Sequence, residues 1–442
     1  MPVAGASRSL AAPPPDLRGA PVPADEIPHP CAIVPNIRFI ETEHWYGCGP
    51  RPAVLQGWKL YVPLTLANAT ATIRQLLLVV SRAGLHCKYI RSIKLLRKLN
   101  SGMFGYTQIG KCFVIYLPKV RARIVNSLKK VLEPLRDECP AVPCAVPFGD
   151  GLPLYYRYGA YTGDQITLGS ESVGDSREDA AAAVPEGVED VLAAFTTPVV
   201  ESAAVRRLLL RYPVFEALRQ QGKCGIFLGF RPASVAFEQV VLKVGYHRGQ
   251  VQPDGSDGCT FLRSELRFYR LLNRRGLAGV APRLIDSLDL PRNVILVLEH
   301  LEGETLLDCK LAGNLPVNSL DRCWEILARL HEAGLYLGDA KIANFIRSRD
   351  GAVRVLDFEG AGRVGEPPPP VKTFNTTPTS ADPCQSDRFH FLASVLYPYE
   401  SGKYSWEDRR VDLHTLCHTA PDSPAARWAA RKLRQALAPA SS

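Results

Sequence analysis

Residues 337–360 read LGDAKIANFIRSRDGAVRVLDFEG, from Leu337 to Gly360. Asp339 is followed five positions on by Asn344, with Lys341 between them, and thirteen positions further stands Asp357, the first residue of Asp-Phe-Glu. The same residue types serve transfer of the terminal phosphoryl group of a nucleotide. One carboxylate orients or accepts the proton of an attacking hydroxyl, while an amide and a second carboxylate hold divalent metal over the phosphates. The run VRVLD predicts a short apolar strand that delivers Asp357 to a strand end. Taken alone, the stretch also fits a polar loop followed by an acidic turn in any α/β protein, so the residues around it have to decide.

Upstream, the apolar strand predicted over Glu238–Val244 (EQVVLKV) carries Lys243, and a lysine projecting from a buried strand needs a partner. A helix predicted over Phe261–Asn273 offers Glu265, twenty-two residues later, followed by an apolar strand over Val294–Leu298 and then Glu299. A strand lysine paired with a helix glutamate is the arrangement that sets nucleotide phosphates. Gly222, Gly225 and Gly229 punctuate QQGKCGIFLGF, a glycine-spaced hairpin whose backbone N–H groups can approach phosphate oxygens, although the spacing also fits a plain hairpin. Lys243, Glu265, Gly222, Gly225 and Glu299 are therefore the expected nucleotide-binding residues. Asp339 and Lys341 are the expected catalytic pair, and Asn344 and Asp357 the expected metal ligands, with ATP or GTP and Mg²⁺ as cofactors.

Beyond Asp357, the polar, Pro-rich loop RVGEPPPPVKTFNTTPTSADP leads into a helix predicted over Ser386–Tyr397. Loop and helix are similar to the activation segment and following helix of protein kinases. Gly338 stands where many protein kinases carry the arginine that pairs with a loop phosphate, so switching by phosphorylation there is not expected. Glu359 replaces the glycine usual after Asp-Phe, which predicts a loop that stays in place.

The whole chain has 442 residues, enough for two or three domains. No apolar run approaches membrane-spanning length, and the N-terminus lacks the hydrophobic core of a secretory signal. Residues 1–37 read as a disordered Pro/Ala-rich arm, 38–168 as one domain, 169–204 as linker and 205–442 as a second domain. The twelve cysteines form no CxxC pair or Cys/His cluster, which points to reduced thiols and a cytoplasmic protein, not to a zinc site.

The net charge of +9 is concentrated: Lys59–Arg136 holds 15 basic residues against the single acid Glu133. Such a block serves an anionic partner or is a solvated basic face. Within it, strands are predicted over Gln56–Leu66, His86–Ile90 and Cys112–Leu117, and helices over Asn68–Ala83, Ile93–Leu99 and Val120–Leu135. Arg38–Pro52 reads as a capping segment, Leu154–Tyr161 closes the domain, and Thr167–Glu189 is the natural linker.

The two halves together resemble one family over roughly Pro50 to Tyr399. The second resembles the kinase domain of class III lanthipeptide synthetases, through its GD-x-x-x-x-N loop, Asp-Phe-Glu and DR-aromatic helix. The first is similar to their lyase domain, through Gly57-Trp58-Lys59, Lys88-Tyr89-Ile90-Arg91-Ser92, Leu99-Asn100-Ser101, Gly110-Lys111 and Arg157-Tyr158-Gly159. The resemblance implies an α+β fold: a phospho-Ser/Thr lyase-like α+β domain followed by a bilobal protein-kinase-like domain. It also implies phosphorylation of Ser and Thr in a precursor peptide, then elimination of phosphate to dehydroamino acids. Lys88 matches the family's base, and Lys59, Arg91, Lys111 and Arg157 match its phosphate-holding positions. An arginine fork suits a phosphate well.

Two departures bear on activity. The family carries His two residues after the first lysine, as acid for the leaving phosphate, and here that position is Tyr61. A phenol, with a reference pKa of about 10, donates less readily near neutrality. A slow lyase and a phosphopeptide-binding relic both remain open for the first domain. The family also continues into a zinc-binding cyclase-like domain that this chain is expected to lack, so a separate cyclase is the expected partner for ring closure. A non-enzymatic basic scaffold or RNA-binding protein is the remaining alternative. It is disfavoured because no base-stacking aromatic motif lies among the cations.

Overall fold

The computed structural model describes residues 26–175, 183–199, 202–232, 236–366, 374–399, 409–420 and 422–437. Parts of three expected segments therefore lie outside the described residues: 1–25 of the arm, 176–182 and 200–201 of the linker, and 367–373 of the Pro-rich loop. The chain is mixed α and β, as expected.

The first body contains β1 (Phe39–Glu41), β2 (Trp45–Cys48), β3 (Gln56–Val62), α1 (Ala69–Arg82), β4 (His86–Ile90), α2 (Ile93–Ser101), β5 (Phe113–Leu117), α3 (Ala122–Leu132), β6 (Val146–Pro147) and β7 (Tyr155–Ala160). The strands form one seven-stranded sheet in the order β1-β2-β4-β5-β3-β7-β6. Its helix-covered face buries Trp58, Leu60, Val62, Cys87, Tyr89, Phe113, Ile115, Leu117 and Tyr156 with Ile73, Leu76, Leu77 and Val80 of α1 and Ile124 and Leu128 of α3. Those helix positions recur at the spacing of one apolar stripe.

Element ends follow local chemistry. Strand β3 stops at Val62, short of the expected Leu66, because Pro63 has no N–H to donate. Ser92 caps α2 by accepting from Leu95 N at 3.2 Å, and the helix runs past the expected Leu99 to Gly102, whose φ of 89° is the left-handed cap. The capping segment 38–52 forms the β1–β2 hairpin, which pairs with β4 at the sheet edge. Part of the expected linker is built as well, as β8 (Gln165–Leu168) and β9 (Glu171–Gly174). At the other end Ile27, within the expected arm, is buried in the first core, and Tyr89 Oη donates to Pro28 O at 3.1 Å.

After α4 (Ala203–Arg211), strands β10 (Val214–Gln220), β11 (Cys224–Pro232), β12 (Phe237–Tyr246), β13 (Leu284–Leu290) and β14 (Asn293–Glu299) form a five-stranded antiparallel sheet, order β10-β11-β12-β14-β13. Helix α5 (Gly258–Arg274) packs on it, capped by Asp257, which accepts from Thr260 N at 2.8 Å.

Below the sheet lie β15 (Gly303–Thr305), α6 (Leu306–Leu311), α7 (Val317–Glu332), β16 (Leu335–Tyr336), β17 (Phe345–Ser348), β18 (Val353–Val355), β19 (Gly362–Arg363), β20 (Phe374–Thr377), α8 (Pro383–Leu396), β21 (Arg409–Asp412), α9 (Leu413–Thr419) and α10 (Pro424–Leu437). Helix α8 starts before the expected Ser386 because Asp382 caps it and Pro383 suits its first turn. The two bodies meet through Arg292, which pairs with Asp137 and Asp150, through Arg248 with Glu138, and through Gly222 N donating to Ser101 O at 3.1 Å.

Candidate functional site: a phosphoryl cleft and a cationic sheet face

The cleft between the five-stranded sheet and the helices below gathers residues from five elements. Lys243 Nζ donates to Glu265 Oε1 at 2.7 Å and to Leu356 O at 2.9 Å, and lies 3.8 Å from Asp357 Oδ1. Lys341 Nζ donates to Asp339 Oδ2 at 2.5 Å, and Asn344 Nδ2 to Asp339 O at 3.0 Å. Leu356 N donates to Asn344 O at 2.8 Å, tying the metal-ligand candidates to one another through backbone.

Packing holds these groups in register. Phe358 stacks on Phe268 and meets Tyr269 edge-on, with ring centroids 5.0 and 5.2 Å apart, so α5 is fixed against the Asp357 loop with Glu265 turned inward. From α8, the fully buried Asp387 accepts from Leu337 N at 2.6 Å and Gly338 N at 2.7 Å, with His331 Nε2 3.1 Å away. Gly338 adopts φ +74°, and a Cβ there would stand 2.1 Å from Gly360 O. An arginine is therefore excluded at this position by backbone contact.

The electrostatics are those of buried, opposed charges. Burial pushes the Glu265 carboxyl up to about 7, against the pull of Lys243. Burial alone would raise Asp357 too, but Lys243, Lys223 and Lys341 together hold it below the usual carboxylate range. The donor set suits Mg²⁺ bound partly through nucleotide phosphates: Asp357 gives a carboxylate, and Asn344, whose Nδ2 is used internally, keeps its amide oxygen to offer. Among the described residues no cluster of three or more His, Cys, Asp or Glu forms a self-sufficient metal cage.

The remaining expected nucleotide residues sit differently. Gly222 faces the first body, where a Cβ would stand 1.7 Å from Asn100 O, and a Cβ on Gly225 would meet the Tyr246 hydroxyl at 2.3 Å. Close packing accounts for both glycines. Glu299 turns its carboxylate to Arg283 N at 3.0 Å and towards Arg354 at 3.6 Å, away from Lys243.

The second constellation lies on the uncovered face of the seven-stranded sheet. Residues directly opposite in an antiparallel pair share a face. Lys59 faces both Arg157 and Tyr116, while Val114 faces both Tyr61 and Lys88. This register puts Lys59, Tyr61, Lys88 and Arg157 on one side. Lys59, Tyr61, Lys88 and Lys111, with Trp45, Gln108, Tyr116 and Tyr161, line a cavity of about 100 Å³, room for about three waters or a small oxyanion. Lys88 Nζ stands 4.8 Å from the Trp45 ring centre, and Lys111 Nζ 4.8 Å from that of Tyr61. Arg157 is buried behind the cavity. Arg91 does not join it: its guanidinium pairs with Glu41 at 2.6 Å, on the exposed side. Arg97, Arg121, Arg123 and Lys130 are exposed, so much of the basic block is solvated surface.

Sequence reasoning missed Asp175. It follows β9 and is buried, 3.4 Å from Lys59 and 3.3 Å from Arg157, with Oδ2 accepting from Ala160 N at 3.1 Å. Gly159 makes room for it, since a Cβ there would stand 2.6 Å from Asp175 Oδ2. Lys223 was also passed over, although it sits between two of the glycines that drew attention to its hairpin. Asp387 entered only as the first residue of the DR-aromatic motif.

Residues 31–200 match the family model described as RamC, N-terminal domain. The chain is 28% identical over 368 residues to a Streptomyces coelicolor protein named "Probable SapB synthase", a match covering 74% of this chain and 38% of that protein. It is 31% identical over 109 residues to a "Probable serine/threonine-protein kinase" of the same organism, covering 24% of this chain and 16% of the relative. The chain thus spans about two fifths of the first relative's length. No helix among the described residues is long and apolar enough to cross a membrane.

Proposed function

We propose that the chain is a class III lanthipeptide synthetase-type enzyme that phosphorylates Ser and Thr of a precursor peptide with ATP or GTP and Mg²⁺. The phosphopeptide then passes to the first body for elimination. In this reading residues 205–442 are the bilobal protein-kinase-like unit and 38–168 the lyase-like unit. The supporting observation is the convergence of Lys243, Glu265, Asp357, Asn344 and Asp339 on one cleft, with Lys243 3.8 Å from Asp357.

In the cleft, Asp339 accepts the proton of the substrate hydroxyl as its oxygen bonds to the terminal phosphorus and the bond to the leaving nucleoside diphosphate breaks. Lys341 steadies the phosphoryl oxygens and Lys243 the nucleotide phosphates. A bound Mg²⁺ would be held by Asn344 and Asp357 and would neutralise charge developing on the phosphates.

On the cationic face, Lys88 in its neutral form takes the α-hydrogen of the phosphorylated residue. The Cα–Cβ double bond forms, and the Cβ–O bond breaks as phosphate leaves towards Lys59, Lys111 and Arg157. Tyr61 stands where the leaving phosphate would be protonated.

Tyr61 in the place of histidine favours a second reading: a kinase whose first body only binds phosphopeptide. Mass spectrometry of a Ser/Thr peptide incubated with nucleotide and Mg²⁺ separates the two. A gain of about 80 Da per site marks phosphorylation, and a loss of about 18 Da marks dehydration. Neither change, with nucleotide intact, overturns both readings.

A further inference from the structure

Lys223 occupies the turn joining β10 to β11, and its ammonium forms an ion pair with Glu359, two residues past Asp357. The pair bridges the cleft mouth, one end on the sheet and the other on the Asp357 loop. Its lysine side chain is one-fifth exposed and its glutamate almost wholly buried.

The backbone beneath Lys223 is fixed. Gly222 N donates to Ser101 O at 3.1 Å, Gln221 N to Cys224 O at 3.0 Å and Tyr246 N to Lys223 O at 2.9 Å. A Cβ on Gly258 would stand 1.8 Å from that same Lys223 carbonyl oxygen. Movement at this place is therefore left to the side chain, which is long enough to swing about a held Cα.

Seven ionisable side chains named in the cleft give four carboxylates (Glu265, Asp339, Asp357, Glu359) and three ammonium groups (Lys223, Lys243, Lys341). Three positive charges against four negative leave one in excess, which opposes a triphosphate. Glu265 is sequestered on Lys243, Asp339 serves the hydroxyl and Asp357 the metal. Glu359 is the remaining carboxylate, and it sits on the one lysine with no other assigned task.

Resting on the phosphoryl-transfer reading of the cleft, we propose that Lys223 is a ligand for the terminal phosphate of a nucleoside triphosphate and that Glu359 is its placeholder. When the triphosphate enters, its terminal oxygens replace Glu359 as counter-ion to Lys223, and the Glu359 carboxylate turns away to solvent. No covalent bond changes in this exchange. It selects the triphosphate over the diphosphate, because a diphosphate lacks the group that reaches Lys223. After transfer, Glu359 recaptures Lys223.

Equilibrium binding of Mg·ATP and Mg·ADP to the full chain by calorimetry tests this in wild type, Lys223→Met, Glu359→Gln and the double variant. Lys223→Met is expected to weaken Mg·ATP about tenfold while changing Mg·ADP less than about threefold. Glu359→Gln is expected to tighten Mg·ATP several-fold, a gain that misfolding would not give. The double variant should bind like Lys223→Met, since releasing Lys223 is useful only where Lys223 exists. Equal effects on both nucleotides, or a Glu359→Gln chain that binds Mg·ATP no better than wild type, overturn the proposal while leaving the cleft a kinase. A wild type that binds neither nucleotide overturns both.

Discussion

The cleft and the cationic face are both suited to phosphate but hold their cations in opposite ways. In the cleft each lysine meets a carboxylate: Lys243 with Glu265, Lys341 with Asp339, Lys223 with Glu359. On the sheet face Lys59 and Arg157 share Asp175, while Lys88 and Lys111 stand over aromatic rings. A cleft whose carboxylates outnumber its lysines by one accepts a polyanion together with divalent metal. A face rich in positive charge attracts a phosphate dianion by itself and stabilises it as it departs. Under the proposed function this difference divides the labour, with one site making phosphate esters and the other breaking them.

The strongest way to break that division is to disable one site at a time. Asp339→Asn should lower phosphate transfer to a Ser/Thr peptide by about two to four orders of magnitude, the usual worth of a positioned base. Lys88→Met should leave transfer intact and make phosphopeptide accumulate, both read by mass spectrometry. Asp175→Ala removes the shared counter-charge of Lys59 and Arg157 and leaves two buried cations opposed. It should cost about 3–5 kcal/mol in urea unfolding, with little direct effect on nucleotide binding.

A gain of function sharpens the comparison further. If Tyr61 limits departure of phosphate, Tyr61→His should raise elimination from a supplied phosphopeptide by about tenfold or more near neutrality. An unchanged rate would mean that cations alone release the phosphate.

The smallest effect concerns pH. Glu265 must be ionised to anchor Lys243, and burial lifts it to about 7. Nucleotide affinity should therefore rise a few-fold between pH 6 and 8, a dependence that Glu265→Gln removes. Stability moves the other way. A carboxyl raised in the folded state contributes fully below its ordinary range, and that contribution is lost as pH rises through about 7.

What the sequence disclosed depended on how local the signal was. Strand β4 and the cores of α1, α5 and β12 were legible because one period of apolar residues fixes each. The cleft residues were legible because each lies in a short run with a chemical reason for its spacing. Asp175 was hidden by its setting, an acidic, Gly-rich stretch that looks like linker, and only the register of β3 with β7 shows that Lys59 and Arg157 need it. Arg91 was misleading for the opposite reason. The family resemblance names it with Lys88, but it lies past the end of β4, where it turns to Glu41. The glycines of the β10–β11 hairpin were read for approach to phosphate, whereas the close neighbours of Gly222 and Gly225 in the fold are Asn100 and Tyr246, which no local pattern names.

The most direct measurement supplies a chemically phosphorylated Ser/Thr peptide, without nucleotide, to the Asp339→Asn and Lys88→Met variants and follows the peptide by mass spectrometry. Two separate sites predict that Asp339→Asn converts it to the dehydrated peptide as fast as wild type, while Lys88→Met leaves the phosphate in place. Loss of elimination in Asp339→Asn, or its survival in Lys88→Met, would contradict the assignment of the two chemistries to these two regions.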